Sequence, residues 1–139
     1  MLNGQRFQFT EKSNRFGQTS IMPYLPIILS NGNLTVEVTG LLDTGASVNV
    51  LPYEIGLELG AVWEEQTVSI ELSGNLSREP ARGLVLSGKV AQFDSVLLAF
   101  AWTKLNNVPI ILGHKKFFQE FNVCFYRHES EFEVCPRSV

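Results

Sequence analysis

The chain of 139 residues is short of several things, and each scarcity closes off a class of protein. It has two cysteines, Cys124 and Cys135, too few for a disulfide framework and wrongly spaced for a zinc knuckle. Its net charge of -3 is mild and no basic stripe runs along it, so the electrostatic footprint of a nucleic-acid binder is missing. No apolar run reaches the length of a membrane span. The opening stretch, MLNGQRFQFTEKSNRFGQTS, is polar and lacks the apolar heart of a secretory signal. The expectation is a soluble cytosolic protein that engages neither nucleic acid nor membrane. Aspartate is scarce as well, with only Asp43 and Asp94 present.

What is there points to a core. Apolar residues make up 45 % of the chain, and ten Phe, two Trp and three Tyr are more than a disordered segment carries. The length fits one domain, with residues 1–20 as an arm or edge strand and 21–139 as the domain proper. Within the domain, Leu25, Ile27 and Leu29 alternate, Ser30-Asn31-Gly32-Asn33 signals a turn, and Leu34, Val36 and Val38 alternate on the return. Pro52 to Gly60 reads as a short helix. TVSIELSG reads as a strand, and GLVLSGKVAQF and SVLLAFAW as a meander with turns at Ser87-Gly88 and Phe93-Asp94-Ser95. NNVPIILG is a buried apolar run, and HKKFFQEF has helix length, with Lys115 and Lys116 on its solvated face. NVCFYRHESEFEV closes as a hairpin. If it turns about Glu129-Ser130, the two cysteines lie opposite each other and a disulfide is conceivable; in a reducing compartment, two ordinary thiols are the simpler expectation. The sum is a small all-β domain, a partly closed barrel or sandwich with one or two short helices.

The chemistry gathers at TGLLDTGASVNVLP. Asp43 ends an apolar strand where it meets a tight turn, a setting in which a lone carboxylate is costly. Gly45 admits a close approach that a Cβ would block, and Ala46 is small enough for an extended ligand to pass. The plainest alternative is that Asp43 only caps a turn. A Ser-His-Asp triad has the necessary residue types but no nucleophile-elbow motif.

LLDTGAS resembles the active-site loop of the retropepsin-like aspartic proteases. VPIILGHKKFFQEFNVCF resembles that family's second landmark, an apolar strand ending in Gly before a short helix, and its Gly113 lies 70 residues after Asp43 (113 − 43). The resemblance spans residues 24–135. It implies a symmetric homodimer in which Asp43 of each chain meets its twin, with Thr44 and Gly45 completing the catalytic loop. It implies an extended peptide or protein substrate held by Leu41, Ala46, Ser47, Pro109 and Ile111. Over it would lie a flap drawn from IELSGNLSREPARG, with Ser73, Gly74 and Asn75 near the tip. The implied reaction is peptide-bond hydrolysis by a water activated between the two carboxylates, with no cofactor and no metal. Asp94, in QFDSV, lacks the following Gly and does not qualify as the partner. Retroviral members follow the downstream Gly with an Arg that pairs an acidic residue just after the loop. Here His114 and Ser47 stand at those places, so that ion pair is missing and His114 is expected to hydrogen-bond the loop instead. A noncatalytic dimerisation or peptide-binding module on the same fold is the alternative.

Overall fold

The structure is a computed structural model describing residues 3–76 and 78–137; Met1, Leu2, Ser77, Ser138 and Val139 lie outside the described residues. The outermost ends of the arm and of the domain, and one position of the polar SGNLSREPARG segment, therefore fall outside it. The first three strands are short and polar: β1 (Gln5–Gln8), β2 (Thr10–Ser13) and β3 (Thr19–Met22). The β2–β3 hairpin is held at its turn by Asn14, whose Oδ1 accepts the N–H of Phe16 at 2.9 Å and of Gln18 at 3.0 Å. This is the side-chain mimic of a backbone turn for which Asn is suited.

The hairpin read from alternation is present as β4 (Tyr24–Asn31) and β5 (Leu34–Leu42), paired from Tyr24↔Leu41 to Asn31↔Leu34. Leu25, Ile27 and Leu29 all point into the core. There follow β6 (Asn49–Leu51), α1 (Tyr53–Glu58), β7 (Ala81–Lys89), β8 (Val96–Thr103), β9 (Ile110–Leu112), α2 (Phe117–Glu120), β10 (Phe121–Tyr126) and β11 (Glu131–Pro136). Six strands close a barrel in the order β4-β5-β9-β6-β8-β7, with β7 returning to β4 through Leu29↔Gly88. Closure leaves these six without a free edge. Two contacts in the ring, β5 with β9 and β6 with β8, are parallel. They bring the end of β5 and the end of β9 to the same rim.

The core is filled by Leu98, Phe100, Trp102 and Leu112, all fully buried, with Phe117, Phe121 and Phe132 sealing one side. Each large side chain of this kind contributes roughly 2–3 kcal/mol by leaving water. Trp102 is also fixed in orientation: its ring stacks on Tyr53 at 5.5 Å and its Nε1–H donates to the Tyr53 carbonyl at 3.1 Å. A second sheet, β1-β11-β10, lies beside the barrel. Phe7 stacks on Phe132 there at 5.5 Å. On its surface Arg6 reaches Glu129 at 2.9 Å and Glu131 at 3.1 Å, and these hydrogen bonds, Glu131's first, hold its guanidinium above the usual range. The Tyr126 phenol is also pushed up, there because the negative charge of Glu133 disfavours the phenolate.

Several details differ from the sequence reading. Ser87-Gly88 is no turn; both residues are mid-strand in β7, and the chain reverses at residues 90–95, where Ala91 takes a positive φ of 49°. TVSIELSG makes no full strand. The first residues of β7 give it a partner only at Ser69↔Arg82, and β7 begins too late to pair with Glu71 onward. HKKFFQEF is helical over Phe117–Glu120 alone, because Lys116 holds a φ of 82°, outside the helical region. The C-terminal hairpin forms, but its register sets Cys124 against Glu133 and Cys135 against Asn122, and no disulfide joins the two thiols. Among the described residues no helix is long and apolar enough to cross a membrane.

Candidate active site

The Asp43 loop begins where the parallel β5–β9 ladder runs one step past the last strand residue. The Asp43 N–H donates to the Leu112 carbonyl at 3.0 Å, so the carboxylate leaves the sheet from a fixed point. The chain then turns tightly, and the Ala46 N–H donates back to the Asp43 carbonyl at 3.1 Å. Inside that turn the Gly45 N–H donates to Asp43 Oδ1 at 2.9 Å. A Cβ on Gly45 would stand 3.3 Å from that same oxygen, so glycine here serves close approach to the carboxylate. Asp43 is half-buried, and among the described residues no donor reaches its second oxygen.

β9 and the residues after it clamp this loop from the other side. His114 and Lys115 donate their backbone N–H groups to the carbonyls of Ala46 and Ser47, each at 2.9 Å. The expectation that His114 bonds the loop is met in a specific form: its Nε2 lies 2.6 Å from the Thr44 carbonyl. A carbonyl only accepts, so Nε2 carries the proton. Phe118 lies against the imidazole at 5.2 Å. Gly113 is required by space. A Cβ there would come within 2.6 Å of the Ala46 oxygen and 2.8 Å of the Val48 oxygen, both backbone atoms with no room to move.

The residue that the sequence reading passed over is Asn49. It is fully buried; its Oδ1 accepts the Gly113 N–H at 2.7 Å and its Nδ2 donates to the Ala99 carbonyl at 3.0 Å. One amide thus ties β6, β8 and the end of β9 beneath the carboxylate loop. The signal was a lone Asn in the apolar run SVNVLP, since a buried amide persists only where it is satisfied.

Above the loop, residues 67–80 form an arm. Its base is pinned by the Ile70 N–H to the Ala81 carbonyl at 3.0 Å and the Gly83 N–H to the Val68 carbonyl at 2.8 Å. Its far end is a 3-10 turn over Gly74–Leu76. Leu72 folds down from it, 6 % exposed, onto Val50, Ala81 and Ala101. Loop and arm together enclose a recess of about 150 Å³, lined by Asp43, Gly45, Ala46 and Ser47 on one side, Val48, Val50 and Ile111 below, and Leu72, Ser73 and Leu76 above. Six of the residues singled out from sequence meet here: Asp43, Gly45, Ala46, Ser47, Ser73 and Ile111. Thr44 lies on the exposed outer turn of the loop, engaged through its carbonyl. Gly74 and Asn75 lie on the 3-10 turn. Leu41 is half-buried opposite Ile111, and Pro109 is exposed just before β9; neither lines the recess. A larger depression, about 650 Å³, runs past Pro26, Ile28, Glu37 and Lys89, but it does not include Asp43. Asp94 is exposed in the β7–β8 connection and plays no part in the recess.

With this geometry in view, comparison with solved structures gives a match along almost the full chain. A retropepsin-like aspartic protease from Rickettsia conorii aligns with 98 % of this chain and 96 % of its own, at 17 % identity and a TM-score of 0.59. The fold is retropepsin-like. No protein-family model matches the sequence, and no curated protein matches it. At this identity the likeness establishes the retropepsin-like fold alone, and the chemistry has to be argued from the residues at the recess.

Proposed function

We propose that the chain is an aspartic endopeptidase that works as a symmetric homodimer, with Asp43 of each copy meeting on the two-fold axis. The observation that carries this reading is a single carboxylate, oriented by its own loop and pinned by three neighbouring strands, in a recess that holds no second acid. A small-molecule pocket is typically about 300–1,000 Å³, and the 150 Å³ recess is the size expected of part of a shared cleft. A second copy supplies both the missing acid and the missing wall.

In the pair, two like charges held close together cannot both ionise easily, so the carboxylates share one proton. The ionised member takes a proton from a water between them, and the protonated member polarises the scissile carbonyl. The water adds, a gem-diol forms, and the amine leaves once protonated. Neither a covalent intermediate nor a metal takes part. The Gly45 N–H on Oδ1 keeps the carboxylate from rotating away, and Thr44 braces one loop against the other across the axis. An extended peptide lies in the cleft, with Ala46, Ser47, Leu41, Pro109 and Ile111 around it and the arm closing over it as a flap through Ser73, Gly74 and Asn75. A cytosolic setting belongs to the same proposal.

Asp43→Asn is the direct test. The Asn side-chain oxygen still accepts from Gly45, so the fold is expected to survive while peptide cleavage falls by roughly 10³-fold or more. Sedimentation with a statine-type transition-state mimic is expected to give two chains per inhibitor. Cleavage at an undiminished rate in the variant, or a strict monomer that still cleaves, refutes the reading.

A further inference from the structure

We propose that a second depression, beside the Asp43 recess, is a specificity subsite for an acidic side chain, glutamate above all, on the peptide that Asp43 cleaves. The inference rests on the protease reading and deepens it. The depression measures about 240 Å³ and is floored by Val48, Ile70, Ala99 and Ala101, with Lys115 and Lys116 at its rim. Val48 also lines the Asp43 recess, and Ile70 and Ala101 pack in the same apolar cluster as Leu72 and Ile111. The two depressions adjoin at Val48, which puts the second within reach of an extended chain that leaves the first.

The rim carries uncompensated charge. Both lysines are exposed, and among the described residues neither ammonium makes an ion pair or a hydrogen bond. Glu120, the closest carboxylate along the chain, lies 3.5 Å from Arg137 instead. The lysines were expected on the solvated face of a helix, yet both precede it and are placed by their backbone. The Lys115 N–H donates to the Ser47 carbonyl at 2.9 Å. Lys116 holds a φ of 82°, which a residue with a Cβ rarely adopts, and its N–H donates to Gln119 Oε1 at 3.0 Å. That backbone shape, tied to the Asp43 loop, anchors the stems of both lysines beside the depression, within reach of a carboxylate that enters it. An apolar floor under a cationic rim suits a side chain with a methylene stem and a carboxylate end. Aspartate has a shorter stem, glutamine lacks the charge, and lysine or arginine is repelled.

The test uses peptide pairs that differ only in Glu against Gln at one position, scanned on both sides of the cut bond. Wild-type protein is expected to cleave the Glu member about fivefold faster in kcat/KM at low ionic strength, two exposed charge pairs being worth about that much. The ratio should fall as salt rises. It should drop to about one in Lys115→Ala/Lys116→Ala, persist in Lys115→Arg/Lys116→Arg, and turn toward lysine peptides in Lys115→Glu/Lys116→Glu. Cleavage with no Glu preference at any position overturns the subsite and leaves the protease standing. The same peptides, fluorescently labelled, are also titrated into Asp43→Asn protein. A Glu preference in binding that the alanine pair abolishes supports the subsite even if wild-type protein cleaves nothing, in which case only the protease reading falls. No preference in binding or in cleavage refutes the subsite, and the salt dependence of wild-type protein decides it should a double variant fail to fold.

Discussion

The two walls of the recess are built by opposite means. From Asp43 to Ser47 every residue has a hydrogen bond to its own loop or to β9 and the residues just after it, and Asn49 and Gly113 lock the base from inside the barrel. The arm facing it is tied only at its root. Between Leu72 and Pro80 the backbone hydrogen bonds among the described residues are internal, those of the 3-10 turn and Glu79 N–H to the Leu76 carbonyl at 3.0 Å, and among those residues the stretch makes none to the rest of the molecule. Leu72 and Leu76 hold it down by apolar contact alone. Apolar contact is non-directional and can be remade, whereas a buried hydrogen-bond network has one satisfied arrangement. The contrast suits the proposed hydrolase, which calls for a carboxylate held still and a cover free to lift.

The sharpest way to break the comparison is Asn49→Ala. It removes a buried amide that serves two partners at once and orphans the Gly113 N–H and the Ala99 carbonyl, each worth about 1–3 kcal/mol when left unsatisfied. We expect a loss of about 2–4 kcal/mol in urea unfolding, with cleavage falling as the Asp43 loop loosens. A loss below about 1 kcal/mol would mean that the loop's own backbone bonds suffice and that the amide is incidental.

That residue also marks how far the sequence could be read. β4 and β5 were legible because they alternate over eight and nine residues, whereas β7 was read with a turn at Ser87-Gly88 and β8 as a strand-length apolar run whose last four residues are all buried. The Asp43 loop and Gly113 were legible because each needs a residue type that little else can replace. Asn49 was hidden because its partners, Gly113 and Ala99, lie 64 and 50 residues away, and local pattern carries no trace of such a bond. The first half of the arm, TVSIELSG, was misread as a full strand for a related reason. Val68, Ile70 and Leu72 alternate correctly, but Val68 is 62 % exposed while Leu72 is 6 % exposed. A strand needs a neighbour to pair with, and whether β7 reaches far enough is decided by the barrel. The lysines at 115 and 116 were assigned to a helix, but Lys116 holds a non-helical φ of 82° and the helix starts only at Phe117.

Leu72→Ala is the matching cut on the arm. It is nearly buried, and in a rigid wall its truncation would cost about 2–5 kcal/mol. If the arm opens by itself, global stability changes by less than about 1 kcal/mol, because the lost contact acts on a local equilibrium. Amide exchange over residues 68–83 is then expected to rise about tenfold, with the Gly113 amide unchanged. A loss as large as that of Asn49→Ala would make the arm part of the barrel.

The finest test is Gly74→Ala. Gly74 has a φ of +65°, and a Cβ placed there meets nothing within 4 Å, so the substitution adds backbone strain without a clash. That strain is about 1–2 kcal/mol. In a cover that moves independently, it is relieved whenever the arm lifts, so it biases the arm toward opening while the melting temperature stays put. The expected result is a several-fold rise in KM with kcat little changed, since the strain weakens closure over bound peptide and leaves the carboxylates untouched. A fall in melting temperature by several degrees with KM unaltered would say the reverse. The turn would then be held by the barrel, and the freedom inferred from its missing hydrogen bonds would not exist.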